Sequence, residues 1–273
     1  MHDWMTALLL VRSDEAEDRE AGLRQILEAE PNRLADRPEL VGELSSMALS
    51  PERSEPEQEL AAMCLGHLQE EQALAEFARS PNSRIRSHAA AGYGYCPTDS
   101  SIFALIELLM DPVNMVRNMA ERSLIRQMPL VHEVGIERLL QLLNHPEPLT
   151  HSPAARLLGL TEDARALQPL LDRAANGENW LTRMWSTKAL GDLGDQAAFD
   201  ALKLRLQTDE KNRVRAAAAG AIGELRHPEA RAVLEAAQDD DDDGVKTAVE
   251  EALDALSQSA DAETLDPFED EQA

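Results

Sequence analysis

Apolar residues recur along the chain in short windows of one pattern. The clearest is the small-residue run Val214-Arg215-Ala216-Ala217-Ala218-Ala219-Gly220-Ala221-Ile222. Taking Arg215 as an anchor, the same register can be set at Arg19, Gln58, Arg86, Arg117, His151, Arg183 and Lys246. The anchors follow one another about every 32 residues, a period that marks a stacked helical repeat. Seven residues after each anchor stand Ile26, Leu65, Tyr93, Leu124, Leu158, Leu190, Ile222 and Leu253, all apolar. Three after it stand Gly22, Ala61, Ala89, Ala120, Ala154, Ser186, Ala218 and Val249, nearly all very small. Positions 3, 7 and 10 share one helical face. The tiny residue lets another helix approach, and the larger one fills the space beside it.

Each window is preceded by a second helical pattern, so the repeat is a helix pair. The first helices are predicted over 3–12, 38–49, 70–79, 101–110, 133–143, 163–175, 195–207 and 228–238. The second helices are predicted over 16–29, 57–68, 83–95, 114–127, 150–160, 180–192, 211–225 and 244–256. Pro38 and Pro228 sit where a first turn accepts proline, and Asp, Asn or Ser sit where an N-cap belongs. No segment alternates as a strand does. The expected fold is all-α, a right-handed α-solenoid (an alpha-alpha superhelix) of about eight helix pairs over 1–257, less regular over 1–68.

The string D-x-x-x-x-V-R-x-x-A-x-x-x-(L/I) appears at Asp209…Val214-Arg215…Ala218…Ile222 and at Asp111…Val116-Arg117…Ala120…Leu124. It recurs at Asp240…Val245-Lys246…Val249…Leu253. This resembles the HEAT repeat, in the short variety also found in phycobilisome-lyase-type proteins. The resemblance implies a solenoid whose second helices line a concave, protein-binding side, with the Asp and Arg linking successive repeats. Physically, a loop Asp caps a helix N-terminus and an Arg on the next repeat pairs with it. The ladder should weaken around the fifth and sixth units, where His151 replaces Arg and His145 and Gly177 replace Asp; Gln58 and Ser80 are further departures.

Composition sharpens this picture. The 273 residues carry 51 Asp+Glu against 26 Lys+Arg, a formal charge of −25, and only 3% aromatics. Small and unbranched side chains favour close-packed helices over sheets. So acidic a chain argues against general duplex nucleic-acid binding, which depends on neutralising phosphates. Two Cys exclude a disulfide scaffold. With no apolar run long enough to span a bilayer and no basic leader, a cytoplasmic protein is expected. Residues 258–273 hold six acids and no bases, and read as an acidic disordered tail.

The sequence contains no phosphate loop, no dinucleotide fingerprint, no His-Glu-x-x-His and no Cys-x-x-Cys. His145 and His151 flank Glu147 but lack the further ligands a metal requires. Cys64 falls in a small buried slot and reads as a structural thiol, while Cys96, before Pro97, reads as partly exposed. Asp239–Asp243 does not alternate ligands and spacers as a calcium loop does, and reads as an acidic cap. No catalytic residue, cofactor or metal is assigned.

The helical face opposite the apolar columns holds positions 1, 4, 5 and 8. Position 5 reads Arg24, Met63, Ala91, Arg122, Arg156, Lys188, Gly220 and Glu251, with three consecutive cations in the middle repeats. Asn118 and Met184 fall at position 1. Trp185 falls in a core column and reads as packing, whereas Trp180 opens its helix and reads as a contact residue. Asn118, Arg122, Arg156, Trp180, Met184 and Lys188 are therefore the candidate partner-binding residues. The expected function is a non-enzymatic protein-interaction scaffold or adaptor. Its partner would be another protein, with an acidic or extended segment at the ridge. Neither membrane nor nucleic acid is expected. The alternatives are a bilin lyase-type enzyme or subunit, implied by the resemblance alone, and an acidic immunity or inhibitor protein neutralising a basic partner.

Overall fold

The structure is a computed structural model that describes residues 3–31 and 37–264, with side chains at 4–31 and 37–258. Among the described residues every regular element is helical. The first four pairs are α1 (Asp3–Val11) with α2 (Ala16–Glu28), α3 (Pro38–Leu49) with α4 (Glu55–His67), α5 (Glu71–Ala78) with α6 (Ser83–Tyr93), and α7 (Asp99–Leu108) with α8 (Asn114–Arg126). The next are α9 (Ile136–Leu143) with α10 (His151–Gly159), α11 (Leu167–Asn176) with α12 (Trp180–Leu193), α13 (Phe199–Thr208) with α14 (Asn212–Leu225), and α15 (Ala230–Glu235) with α16 (Asp243–Thr264). The chain is an α-solenoid that divides into two compact units, Met1–Arg138 and Leu139–Ala273.

Local chemistry sets the helix starts. Ser54 and Glu57 form a reciprocal capping box on α4, and Pro56 sits in its first turn. Asn82 and Asn179 accept from the backbone of Arg84 and Leu181 to open α6 and α12. Asp163 and Asp195 cap two short 3-10 turns, Ala164–Ala166 and Gln196–Ala198, so α11 and α13 begin a turn later than their hydrophobic pattern suggests. The single helix expected over 133–143 is instead a turn Met128–Leu130, a π-helical turn Val131–Gly135 and then α9. Pro129 sits in that first turn, and Gly135 lies against Ile102 and Ile106. The last helix passes the expected end at 256 and continues to Thr264. The rest of the expected tail, 265–273, lies outside the described residues.

Within each unit the second helices pack on one another in chain order: α2, α4, α6, α8 in the first and α10, α12, α14, α16 in the second. All eight residues at position 3 are buried. At position 7, Ile26, Leu65, Leu124, Leu158, Leu190 and Ile222 are fully buried and Tyr93 nearly so, while Leu253 in the last repeat is half-buried. Position 8 differs from expectation. It carries Gly66, Gly159, Gly191 and Gly223, all buried, and faces the next second helix rather than the open side. A Cβ on Gly191 would stand 2.7 Å from the Ala221 backbone, and one on Gly159 2.8 Å from that of Ala189. Glycine there sets the helix-to-helix distance.

The anchors join the repeats. Arg86, Arg183 and Arg215 each donate Nη1 to the carbonyl six residues back, at Ser80, Gly177 and Asp209. Each also forks onto a carboxylate of the following repeat: Asp111 at 2.6 and 2.9 Å, Asp209 at 2.9 and 3.1 Å, and Asp240 at 2.9 and 2.8 Å. The Arg thus belongs to the repeat before the Asp, not to the one after it as the sequence reading had it. The reason is reach: the loop of the following repeat lies beside the guanidinium. Arg19 makes a variant rung with Glu57 at 2.6 Å. Burial pushes the carboxyls of Asp111 and Asp209 up, but Arg86 and Arg183 overcome it and hold both below the usual range. Burial also raises Glu57, yet Arg19 and Ser54 bring it down to about 2.

Candidate partner-binding surface

Residues at position 5 of the second helices line two grooves, one in each unit. In the first unit Ala91 on α6 lies between Met63 on α4 and Arg122 on α8. A groove of about 190 Å³ forms there, lined also by Glu59, Met119, Tyr95 and Arg126. The Arg126 guanidinium stacks 4.5 Å from the Tyr95 ring centre. Burial, with Glu55 nearby, pushes the Glu59 carboxyl up, and Arg122 pulls it down. Asn118 and Arg122 are exposed on the same helix.

In the second unit Gly220 on α14 lies between Lys188 on α12 and Glu251 on α16. The groove here is about 510 Å³, floored by Ala216, Ala217, Ala221, Ala248 and Ala252 and edged by Lys188, Glu224, Arg226 and Glu251. Beside it Trp185 is half-buried, with the Arg156 guanidinium 4.5 Å and the Lys188 ammonium 6.0 Å from its ring centre. Asp192 is pushed up by burial, against the pull of Lys188 and Arg156. Glu224 is pushed up by burial and by Asp192.

The structure places the sequence candidates unevenly. Arg156 and Lys188 converge on one ring, but that ring is Trp185, which sequence reasoning assigned to packing. The missed signal was the i, i+3 spacing of Trp185 and Lys188, which puts both on one side of α12. Trp180 is half-buried beneath Arg213, whose guanidinium lies 5.6 Å from its ring centre. Met184 is half-buried. The cations are also not a purely basic ridge: Arg122 has Glu59 as neighbour, and Lys188 has Asp192 and Glu224.

The cysteines, His151 and the acidic run singled out in the sequence have structural surroundings. Cys64 is buried and donates to the Leu23 carbonyl, and burial drives its thiol up. Cys96 is fully buried rather than partly exposed, and burial raises its thiol to about 11, so neither sulfur is an activated nucleophile. His151 donates to the His145 carbonyl at 2.6 Å. In the Asp239–Asp243 run, Asp240 and Asp241 accept from Arg215, and Asp242 accepts from the Gly244 amide. Among the described residues no group of His, Cys, Asp and Glu could hold a metal ion, and no helix is long and apolar enough to cross a membrane.

Comparison with known proteins agrees with the repeat. Residues 136–215 and 188–254 match the family model described as HEAT repeats, so this stretch of the chain is similar to HEAT repeats. No curated protein sequence matches the chain. Importin beta shares the fold at a TM-score of 0.59 and 13% identity, over 93% of this chain and 40% of that one. A Kap95:Nup1 complex is similar at 0.58 and 14%, over 94% and 40%. The chain therefore spans about two fifths of those relatives. The CpcE and CpcF complex of phycocyanin lyase from Nostoc aligns over 93% of this chain and 94% of that one, at 19% identity and a TM-score of 0.36.

Proposed function

We propose that this chain is a non-enzymatic interaction scaffold that takes up segments of a partner protein along the face of its second helices. One observation carries the reading. The two grooves occur at the same repeat position, over the small residues Ala91 and Gly220; Tyr95, stacked with Arg126, lines the first, and Lys188, which lines the second, also approaches the Trp185 ring that Arg156 covers. Such rings and arginines dominate binding energy in protein interfaces. A floor of alanine lets a partner backbone come close, and each repeat offers a similar face to an extended chain. The similarity to Kap95, seen in complex with Nup1, fits a protein partner. The partner segment supplies carboxylates to Arg122, Arg156 and Lys188. The two free thiols fit a reducing, cytoplasmic setting.

The test is affinity capture from native lysate with wild type, with Gly220→Leu, and with Arg122, Arg156 and Lys188 all changed to Glu. A Cβ at Gly220 meets nothing within 4 Å, so leucine fills the groove without touching the core. The expected result is a protein retained by wild type and lost from both variants at unchanged helicity. Full retention by both variants overturns the reading.

A further inference from the structure

Position 7 of the second helices is aliphatic in every repeat but the third, which carries Tyr93. An aliphatic side chain ends there in methyl groups. Tyrosine fills the same slot with its ring and carries a hydroxyl beyond it. Tyr93 is 4% exposed, and its hydroxyl makes no hydrogen bond among the described residues. Buried hydroxyls are nearly always paired, so this exception calls for a partner.

The residue lines a cavity of about 420 Å³ between α5 and α7, both in the first unit. The side chains whose charge acts on its hydroxyl include Glu71, Glu107 and Arg79, and all three line the same cavity, so the hydroxyl end faces it. Ala75, Ala78, Ala104, Leu108 and the Phe103 ring make the walls apolar. Glu71 uses Oε1 for the Thr98 hydroxyl at 2.6 Å and the Cys96 thiol at 3.9 Å, which leaves Oε2 without a hydrogen bond among the described residues. Glu107 is exposed and makes no hydrogen bond or ion pair among the described residues. Arg79, also exposed, is the opposing charge on the rim. Burial first, and then Glu71, Cys96 and Glu107, push the Tyr93 phenol up to about 12, with Arg79 pulling against them. Two carboxylates outweigh one guanidinium, and the field at the hydroxyl favours a cation.

We infer that this cavity binds a primary ammonium carried on an aliphatic chain. The chain lies along Ala75, Ala104 and the Phe103 ring. The ammonium has three N–H donors, and the Tyr93 hydroxyl oxygen, Glu71 Oε2 and the Glu107 carboxylate accept them. It belongs either to a lysine side chain of a protein segment or to a free alkyl amine. The cavity shares no lining residue with either groove. The scaffold reading stands whether or not it binds.

NMR of the full chain with isotope-labelled alanine methyls and tyrosine rings tests this. The probes are acetyl-Ala-Lys-Ala-amide, n-butylammonium chloride and the uncharged acetyl-Ala-norleucine-Ala-amide, all at one chloride concentration. The expected result is a saturable shift of the Tyr93 ring and the Ala75 and Ala104 methyls with both ammonium probes and none with norleucine. The Ala216 and Ala248 methyls of the second-unit groove should stay unmoved. Lysine-peptide affinity at least about tenfold above that of butylammonium identifies a protein segment as the source, and any smaller margin identifies a free amine. Glu107→Gln should weaken binding about tenfold. Tyr93→Phe, which keeps the ring in its slot, should weaken it about threefold. Arg79→Gln, which removes the opposing charge, should tighten it about threefold. No shift with either ammonium probe, an equal shift with norleucine, or weaker binding by Arg79→Gln overturns the inference.

Discussion

The junctions on either side of α12 contrast sharply. From α12 to α14, Arg183 forks onto Asp209, a carboxylate with only 2% of its side chain exposed, and the same pattern repeats from α14 to α16 through Arg215 and Asp240. From α10 to α12 the equivalent pair is His151 and Gly177, and an open polar cavity bounded by His151 and Thr182 lies at this junction. Yet both junctions keep the same glycine contact between second helices, Gly191 on Ala221 and Gly159 on Ala189. Close packing of small residues therefore builds the stack, and the ion pairs fix how the loops are held. Exposed ion pairs stabilise by only about 0–1 kcal/mol, but these forks are mostly buried and each satisfies a loop carbonyl as well.

The largest expected effect comes from disturbing what the two junctions share. Gly191→Val and Gly159→Val should each destabilise by about 1–3 kcal/mol or more in chemical denaturation, because the added atoms meet neighbouring backbone. Equal costs at the two sites would confirm that packing does not depend on the rung. Next comes removal of a rung. Asp209→Ala strands the Arg183 guanidinium and should cost about 2 kcal/mol, with faster amide exchange at Lys211.

Acid should separate the regions more gently. Asp111, Asp209 and Asp240 are held below the ordinary carboxylate range, Asp240 chiefly by its fork from Arg215 and the first two against burial. Glu57 is held at about 2. A depressed carboxylate contributes stability that is full above its unfolded value and is lost as pH falls through the folded one. Stability should therefore decline from about pH 4.5 towards 2, and Glu57→Gln should flatten that decline. Amide exchange at the Arg183 and Arg215 rungs should rise across this window, while exchange around Gly177 changes little. The smallest effect is expected at Gly220→Ala, within about 0.5 kcal/mol of wild type, since its added methyl enters open space.

Much of this was legible in the chain. The period, the tiny column at Ala218 and its equivalents, and the apolar column at Ile222 follow from helical spacing alone. So did the weakness at His151 and Gly177, because a side chain without a carboxylate cannot make the rung. Periodicity fixes a face, however, and not which neighbour it meets. Gly159, Gly191 and Gly223 were therefore assigned to the open side although they touch the next helix. The ladder direction was reversed for the same reason, since spacing gives the loop and the helix but not which repeat the guanidinium reaches. Trp185 was read as packing because its column is apolar elsewhere. Only the coordinates show Arg156 and Lys188 approaching its ring. The grooves depended on Ala91 and Gly220 being small between larger neighbours, a signal present in position 5 but hidden while that column was read for charge.

The central claim is that residues 151 and 177 occupy a rung whose two members are both missing. A double-mutant cycle of His151→Arg and Gly177→Asp, followed by urea denaturation, tests it most directly. A Cβ at position 177 would stand 2.7 Å from the Arg173 carbonyl, so Gly177→Asp alone should destabilise; the account expects the pair to recover about 1 kcal/mol beyond the sum of the single changes, as a new fork forms between α10 and the loop before α12. Effects that add to within about 0.3 kcal/mol would contradict it.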